Sequence, residues 1–218
     1  MTPDPLRPDT PVTFVVDDDE AVRDALALHL DLAGLAVRPC ASAAEFLAAA
    51  DPAQPGCAVI DIRMPGMDGL ELQQEMIRRG LTLPVIIITG HGDVPAAVRA
   101  FRAGAVDFLQ KPFDEDLLIA RVREAHDRDR VARRADGEAA EIRRRLDLLS
   151  PREREVMDLV AQGLPNKLIA RQLDIGIRTV ETHRARVLEK MGARNASELA
   201  RMQMRIDEGH GGERQGEG

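Results

Sequence analysis

Cys57-Ala58-Val59-Ile60-Asp61 sets four consecutive apolar side chains directly against a carboxylate. A strand with one wet face alternates apolar and polar residues. A continuous apolar run instead signals burial on both faces, the condition of a parallel sheet between helices. Residues 84–88, Pro-Val-Ile-Ile-Ile, run the same way into Thr89. Outward from these two, β-rich runs at Val12–Val16, Ala36–Cys40 and residues 106–109 complete five strands. Amphipathic stretches at Glu20–Leu32 and residues 42–49, 69–79, 94–103 and 114–125 alternate with them. Gly34, Gly80 and Gly104 stand just past three of these stretches, where helices often end. Five strand-then-helix units predict an α/β domain over residues 12–126, with its parallel sheet covered on both faces.

The pattern changes after residue 126. Residues 127–148 are dominated by Arg, Asp, Glu and Ala without a full apolar face, which predicts a solvated helical linker. Ser150-Pro151-Arg152-Glu153 then reads as a capping box with proline in the first helical turn. Its helix ends at Gly163. A short second helix covers residues 166–173, with Asn166 as its cap. A third runs over 178–191 to Gly192, and a fourth over 196–205. Residues 149–206 thus predict a small all-α four-helix domain. The Gly-rich, charged stretch 207–218 predicts a disordered tail.

Composition narrows the function classes. Of 218 residues 44% are hydrophobic, as in ordinary globular chains, and no aliphatic run approaches the roughly 20 residues of a membrane helix. Residues 1–11 lack the apolar core of a signal peptide, so a cytoplasmic protein without membrane association is expected. Cys40 and Cys57 have no metal-ligand spacing and read as buried free thiols. The absence of Trp and Tyr argues against single-strand nucleic-acid readers, which stack bases on aromatics. The net charge of −7 is uneven: residues 1–126 are acidic and residues 150–206 basic, so a polyanion is expected to meet only the second half.

In open α/β sheets, chemistry gathers at the carboxyl ends of the strands. Here those ends carry Asp17-Asp18-Asp19-Glu20, Asp61, Thr89 and Lys111-Pro112. Acids converging at one edge repel each other, and a hard divalent cation such as Mg²⁺ relieves that repulsion. A remaining carboxylate can attack phosphorus, while a hydroxyl and an ammonium hold the phosphoryl oxygens. Singly, each residue reads as a helix start, a turn or a surface charge; together they predict Mg²⁺-dependent phosphoryl transfer onto a carboxylate. Asp17 and Asp18 are taken over Asp19 because they directly follow Val16.

The acid pair after the first strand, Asp61-Ile62-Arg63-Met64-Pro65-Gly66-Met67-Asp68-Gly69, Thr89-Gly90 and Lys111-Pro112 resemble the receiver domain of bacterial response regulators. The resemblance implies a flavodoxin-like sheet of order 2-1-3-4-5 with Asp61 as phosphoacceptor. It further implies Mg²⁺ at Asp17, Asp18, Asp61 and the Arg63 carbonyl, with Asp17 acting through water. Thr89 and Lys111 would bind the phosphoryl group, and the Lys111–Pro112 peptide would be cis. Phe108 takes the aromatic switch position, though it also suits the core. Val98 and Arg102 fall on the expected dimer face. His91 falls where phosphoryl lifetime could be tuned, though a loop histidine suits it better.

In the second domain, Asp174-Ile175-Gly176-Ile177 joins two helices within a basic segment, which predicts a helix-turn-helix. Val180, Val187, Leu188 and Met191 face its core. Glu181, Thr182 and Ala185 share another face, flanked by Arg178, Arg184 and Arg186, as suits a major groove. Ser150-Pro151-Arg152-Glu153-Arg154-Glu155, Gly163-Leu164-Pro165-Asn166-Lys167 and Arg178-Thr179-Val180-Glu181-Thr182-His183-Arg184 resemble the LuxR/FixJ type of helix-turn-helix. By that resemblance Glu181, Thr182 and Ala185 face the groove, and Lys167, Thr179 and Arg184 contact phosphates. The last helix either pairs DNA-bound copies or simply closes the core. Gly176-Ile177 replaces the family's usual Ser-Pro cap, and glycine caps acceptably.

The expectation is therefore a FixJ-type two-component response regulator and not an enzyme beyond slow self-dephosphorylation. A sensor histidine kinase phosphorylates Asp61, the chain becomes a homodimer, and it binds double-stranded promoter DNA. Transcription by RNA polymerase would then be activated. Affinity for DNA should fall steeply with salt. Two alternatives stand beside this. One is a constitutive DNA-binding protein with a non-phosphorylated receiver as dimer module. The other is a haloacid-dehalogenase-like phosphatase using Asp17.

Overall fold

The computed structural model describes residues 10–90 and 94–211. Two compact units divide at Arg133 and Arg134. The first alternates β1 (Val12–Val16), α1 (Glu20–Leu32), β2 (Ala36–Cys40), α2 (Ala43–Ala49), β3 (Gly56–Asp61), α3 (Gly69–Arg78), β4 (Val85–Thr89), α4 (Val94–Arg102) and β5 (Asp107–Gln110). The strands form one parallel sheet in the order β2-β1-β3-β4-β5. This is the flavodoxin-like order expected from the sequence.

The apolar runs bury both faces as their composition requires. On β3, Ala58 and Ile60 join Phe14, Phe46, Leu72 and Met76 on one side. Cys57 and Val59 join Leu26, Leu30, Leu118 and Val122 on the other. Strand register then sets the carboxyl ends side by side. Val16 pairs with Ile60, Asp61 with Ile88, and Thr89 with Gln110. Helix starts are fixed locally: Asp19 caps α1, Ser42 caps α2, and Asp68 forms a capping box on α3 with Glu71.

Helix α5 (Glu115–Asp147) begins in the first unit and ends in the second. Residues 127–148 are helical as expected, apart from Leu148, but not simply solvated. Asp129 is buried, and its Oδ2 accepts from the Gly56 amide at 2.9 Å and from Arg133 Nε at 2.7 Å. Ile142 and the half-buried Leu146 join the second unit's core, and Ala139 is buried one turn before Ile142. Their three- and four-residue spacing is a narrow stripe hidden among arginines and glutamates, so the composition does not show it.

The second unit adds α6 (Pro151–Ala161), α7 (Asn166–Gln172), α8 (Ile177–Met191) and α9 (Ala196–Gly211). Val156, Val160, Ile169, Val180, Val187, Met191 and Leu199 form its core. The Ser150–Glu153 capping box forms as expected. Asn166 does not cap α7: Pro165 holds that position, and Asn166 Oδ1 accepts instead from Arg184 Nη1 at 3.1 Å. Helix α9 continues to Gly211, past Asp207 where composition predicts the tail to begin. Extending an existing helix costs far less than nucleating one, so its end outruns a composition boundary. Residues 212–218 lie outside the described residues.

Candidate functional site

Asp61 ends β3 and Asp17 follows β1; both are nearly inaccessible, at 5% and 1% exposure. From the end of β5, Lys111 reaches between them. Its Nζ lies 2.7 Å from Asp17 Oδ2 and 2.8 Å from Asp61 Oδ1. The remaining oxygens are also bonded. Asp17 Oδ1 accepts from the Asp19 amide at 3.0 Å, and Asp61 Oδ2 from the Arg63 amide at 2.6 Å. Burial lifts the Asp17 carboxyl above its ordinary pKa even though Lys111 pulls the other way. Burial likewise works against the Lys111 ammonium, but its bonds to Asp17 and Asp61 outweigh that and hold its pKa high.

Thr89 is buried at the end of β4, and its carbonyl accepts from the Lys111 amide at 2.8 Å. The Lys111–Pro112 peptide is cis. Asp18 is exposed and lines a cleft of about 550 Å³ with Ile62, Arg63, Met64, Pro65, Asp68, Ala96 and Arg99. Asp19 instead caps α1, accepting from the Ala21 and Val22 amides at 2.9 and 3.3 Å. Its oxygen is thereby committed to the helix start. Phe108 is half-buried against the core. Val98 and Arg102 are exposed on α4, and Phe101 beside them is 51% exposed. His91 lies outside the described residues.

The donor chemistry suits a hard cation: two buried carboxylates, an exposed third, and hard oxygen throughout. Among the described residues, no three His, Cys, Asp or Glu side chains stand together as a metal site, and the ammonium of Lys111 bridges Asp17 and Asp61. Sequence reading missed two residues here. Arg23 donates from Nη1 to the carbonyls of Asp17 at 2.8 Å and Asp18 at 3.3 Å. Arg99 lines the same cleft as Asp18. Only the amphipathic placement of Arg23 one turn into α1 could have hinted at the first.

In the second unit, α7 and α8 are joined through Asp174, which has φ 53°, and Gly176, the N-cap of α8. Lys167, Arg178, Thr179, Glu181, Thr182 and Ala185 are exposed, and Arg184 is half-buried against Asn166. Thr182 Oγ1 donates back to the Arg178 carbonyl at 3.0 Å. Val180, Val187 and Met191 face inward, with Leu188 half-buried beside them. The expected polar face and core face of α8 are thus the observed ones.

Residues 13–123 match the response regulator receiver domain, and residues 147–203 the luxR family of bacterial regulatory proteins. The transcriptional regulatory protein FixJ of Azorhizobium caulinodans is 48% identical over 195 residues, 89% of this chain and 92% of that protein. FixJ of Rhizobium meliloti is 49% identical over 189 residues, 86% of this chain and 92% of that one. Among solved structures, the response regulator StyR superposes with a TM-score of 0.81 at 38% identity, over 89% of this chain and 98% of StyR. Full-length FixJ from B. japonicum superposes at 0.56 with 46% identity, over 91% and 98%. The phosphatase alternative falls with these matches, which give the second unit to a DNA-binding family.

Proposed function

This chain belongs to the FixJ-like response regulators, two-component regulators with a receiver and a LuxR-type DNA-binding domain, and from that premise we propose that Asp61 is the phosphoacceptor through which a sensor histidine kinase controls promoter binding. The observation that carries the reading is Lys111. Its ammonium contacts Asp61 at the carboxyl edge of the sheet, where it can follow the oxygens of a phosphoryl group added there. Thr89, buried at the neighbouring strand end, supplies a hydroxyl on the same edge.

Mg²⁺ would be held by Asp18, Asp61 and the Arg63 carbonyl, with Asp17 acting through water. When bound it neutralises the negative charge that phosphoryl transfer gathers at this edge. Lys111, which bridges Asp17 and Asp61, would yield part of that contact where these acids hold a cation. Phosphorylation adds charge and acceptor oxygens that draw on Thr89 and Lys111. Phe108, half-buried, then turns further inward. The α4 surface with Val98 and Arg102 becomes the dimer face, and the exposure of Phe101 beside them supports that assignment. The aspartyl phosphate is lost by slow self-hydrolysis.

Two copies would set two helix-turn-helix units on a two-fold promoter site. Glu181, Thr182 and Ala185 would face bases, with Lys167, Arg178, Thr179 and Arg184 on phosphates, and RNA polymerase would be engaged for activation. The test is intact-mass spectrometry after incubation with Mg²⁺ and a small phosphodonor. One phosphoryl group on the wild type and none on Asp61→Asn is the expected result. No adduct, together with no dimerisation by beryllofluoride, would leave a constitutive DNA-binding protein.

A further inference from the structure

Asp17 and Asp18 lie past the last paired residue of β1, Val16, so the strand pairing does not extend to their carbonyls. The loop is held otherwise. The Asp17 amide donates to the Cys40 carbonyl at 3.2 Å, and the Asp19 amide to Asp17 Oδ1 at 3.0 Å. The carbonyls of Asp17 and Asp18 are held by a single group, Nη1 of the half-buried Arg23. Arg23 is itself placed by α1, where its amide donates to the Asp19 carbonyl at 3.0 Å and the Asp19 carboxylate caps the helix. A guanidinium is planar and permanently charged, so one nitrogen can grip two carbonyls in a set geometry.

The direction of a peptide carbonyl sets the Cα–Cβ vectors of the residues beside it. Asp17 is additionally pinned by Lys111, but Asp18 is exposed on the cleft, and its backbone is oriented by Arg23. We propose that Arg23 is a positioning residue for the cation. It acts through the Asp17 and Asp18 carbonyls to aim the Asp18 carboxylate at the Asp61 edge. This rests on the reading of Asp18 and Asp61 as Mg²⁺ ligands. Arg23 places its charge on main-chain oxygens rather than on the carboxylates, so it shapes the acid pair without competing for it.

Residues that orient ligands typically change metal affinity by roughly 10–100-fold when removed. The full-length chain, its Arg23→Ala and Arg23→Lys variants and an Asp18→Asn control are titrated with MgCl₂ by calorimetry, and thermal unfolding is followed in EDTA. Arg23→Ala should weaken Mg²⁺ about ten-fold or more. Arg23→Lys, which keeps the charge but not the planar grip, should fall between it and wild type. With a small phosphodonor, the Mg²⁺ concentration for half-maximal phosphorylation should rise in Arg23→Ala, while the rate at saturating Mg²⁺ stays near wild type. Mg²⁺ affinity within two-fold of wild type in both Arg23 variants overturns the proposal. So does a fall in unfolding temperature with affinity unchanged, which marks a merely structural cap. Should Arg23→Ala not fold, Arg23→Lys decides alone, and wild-type affinity in it overturns the proposal. A wild type that binds no Mg²⁺, or an Asp18→Asn control that binds normally, overturns the acid-pocket reading with it.

Discussion

The Lys111 ammonium stands 2.8 Å from Asp61 Oδ1, although the two residues are 50 positions apart. Its second contact, with Asp17, makes it the counter-charge for two buried acids. Lys111→Met therefore leaves two facing carboxylates uncompensated. Breaking a fully buried pair costs about 3–5 kcal/mol, and Lys111 is partly exposed, so a loss of about 2 kcal/mol is expected in EDTA. Mg²⁺ should restore most of it by replacing the lost positive charge. Thermal melts of both proteins, with and without Mg²⁺, check this; equal stability in EDTA would contradict it.

Gly69 opens α3 where the chain turns back over the end of β3. A Cβ there would stand 2.3 Å from the Asp61 carbonyl oxygen and 3.0 Å from the Ile62 Cα, both main-chain atoms that cannot swing aside. Gly69→Ala is expected to push the Asp61 end of β3 out of register with Lys111. Stability should fall by about 2 kcal/mol or more, as for overpacking against backbone. Phosphorylation at saturating Mg²⁺ should slow as well. Chemical denaturation and intact-mass time courses measure the two effects, and a wild-type rate would sink the argument.

Glu153 is buried in the second unit and bonded by Lys190 Nζ at 2.6 Å and by the Ser150 amide at 2.9 Å. Lys190, then the Ser150 amide, hold its carboxyl down to about 2. A depressed folded-state pKa gives stability that is fully present above the ordinary value of 4.5 and lost as pH falls toward 2. Glu153→Gln should melt lower at pH 7, and the gap from wild type should close as pH drops through that window. Melting series from pH 7 to about 3 test it; a gap that does not narrow would contradict the assignment.

Arg178 is exposed at the start of α8, whereas Arg184 is steadied by Asn166. If both meet phosphates, Arg178→Ala should weaken DNA binding across sequences and flatten the slope of log affinity against log salt by about 1. Asn166→Ala should weaken binding less, because Arg184 keeps its charge and loses only its placement. Fluorescence anisotropy over a salt series distinguishes them. An unchanged slope for Arg178→Ala would remove it from the phosphate contacts.

Strand and helix identities were legible because hydrophobic period and capping chemistry are local. The runs at 57–60 and 84–88 announce two-sided burial, and Ser150 with Glu153 announces a helix start. The chemical kit was legible for the same reason, since Asp17, Asp18, Asp61, Thr89 and Lys111 each follow a recognisable strand. The tail of α5 and the cap of α7 were not. Ala139, Ile142 and Leu146 make too narrow a stripe to stand out among charges, and the choice of Asn166 between capping and holding Arg184 depends on where α8 lies.

By itself the sequence determined an acidic α/β domain with reactive side chains at its strand ends, then a basic helical domain with a two-faced third helix. Only the tertiary structure decided who meets whom: Lys111 between acids 94 and 50 residues away, Arg23 on two carbonyls, Asp129 on the Gly56 amide. Periodicity is written along the chain. Partnership is set by strand register and helix packing, which bring distant residues to one edge and leave each buried polar group to bond whatever stands there.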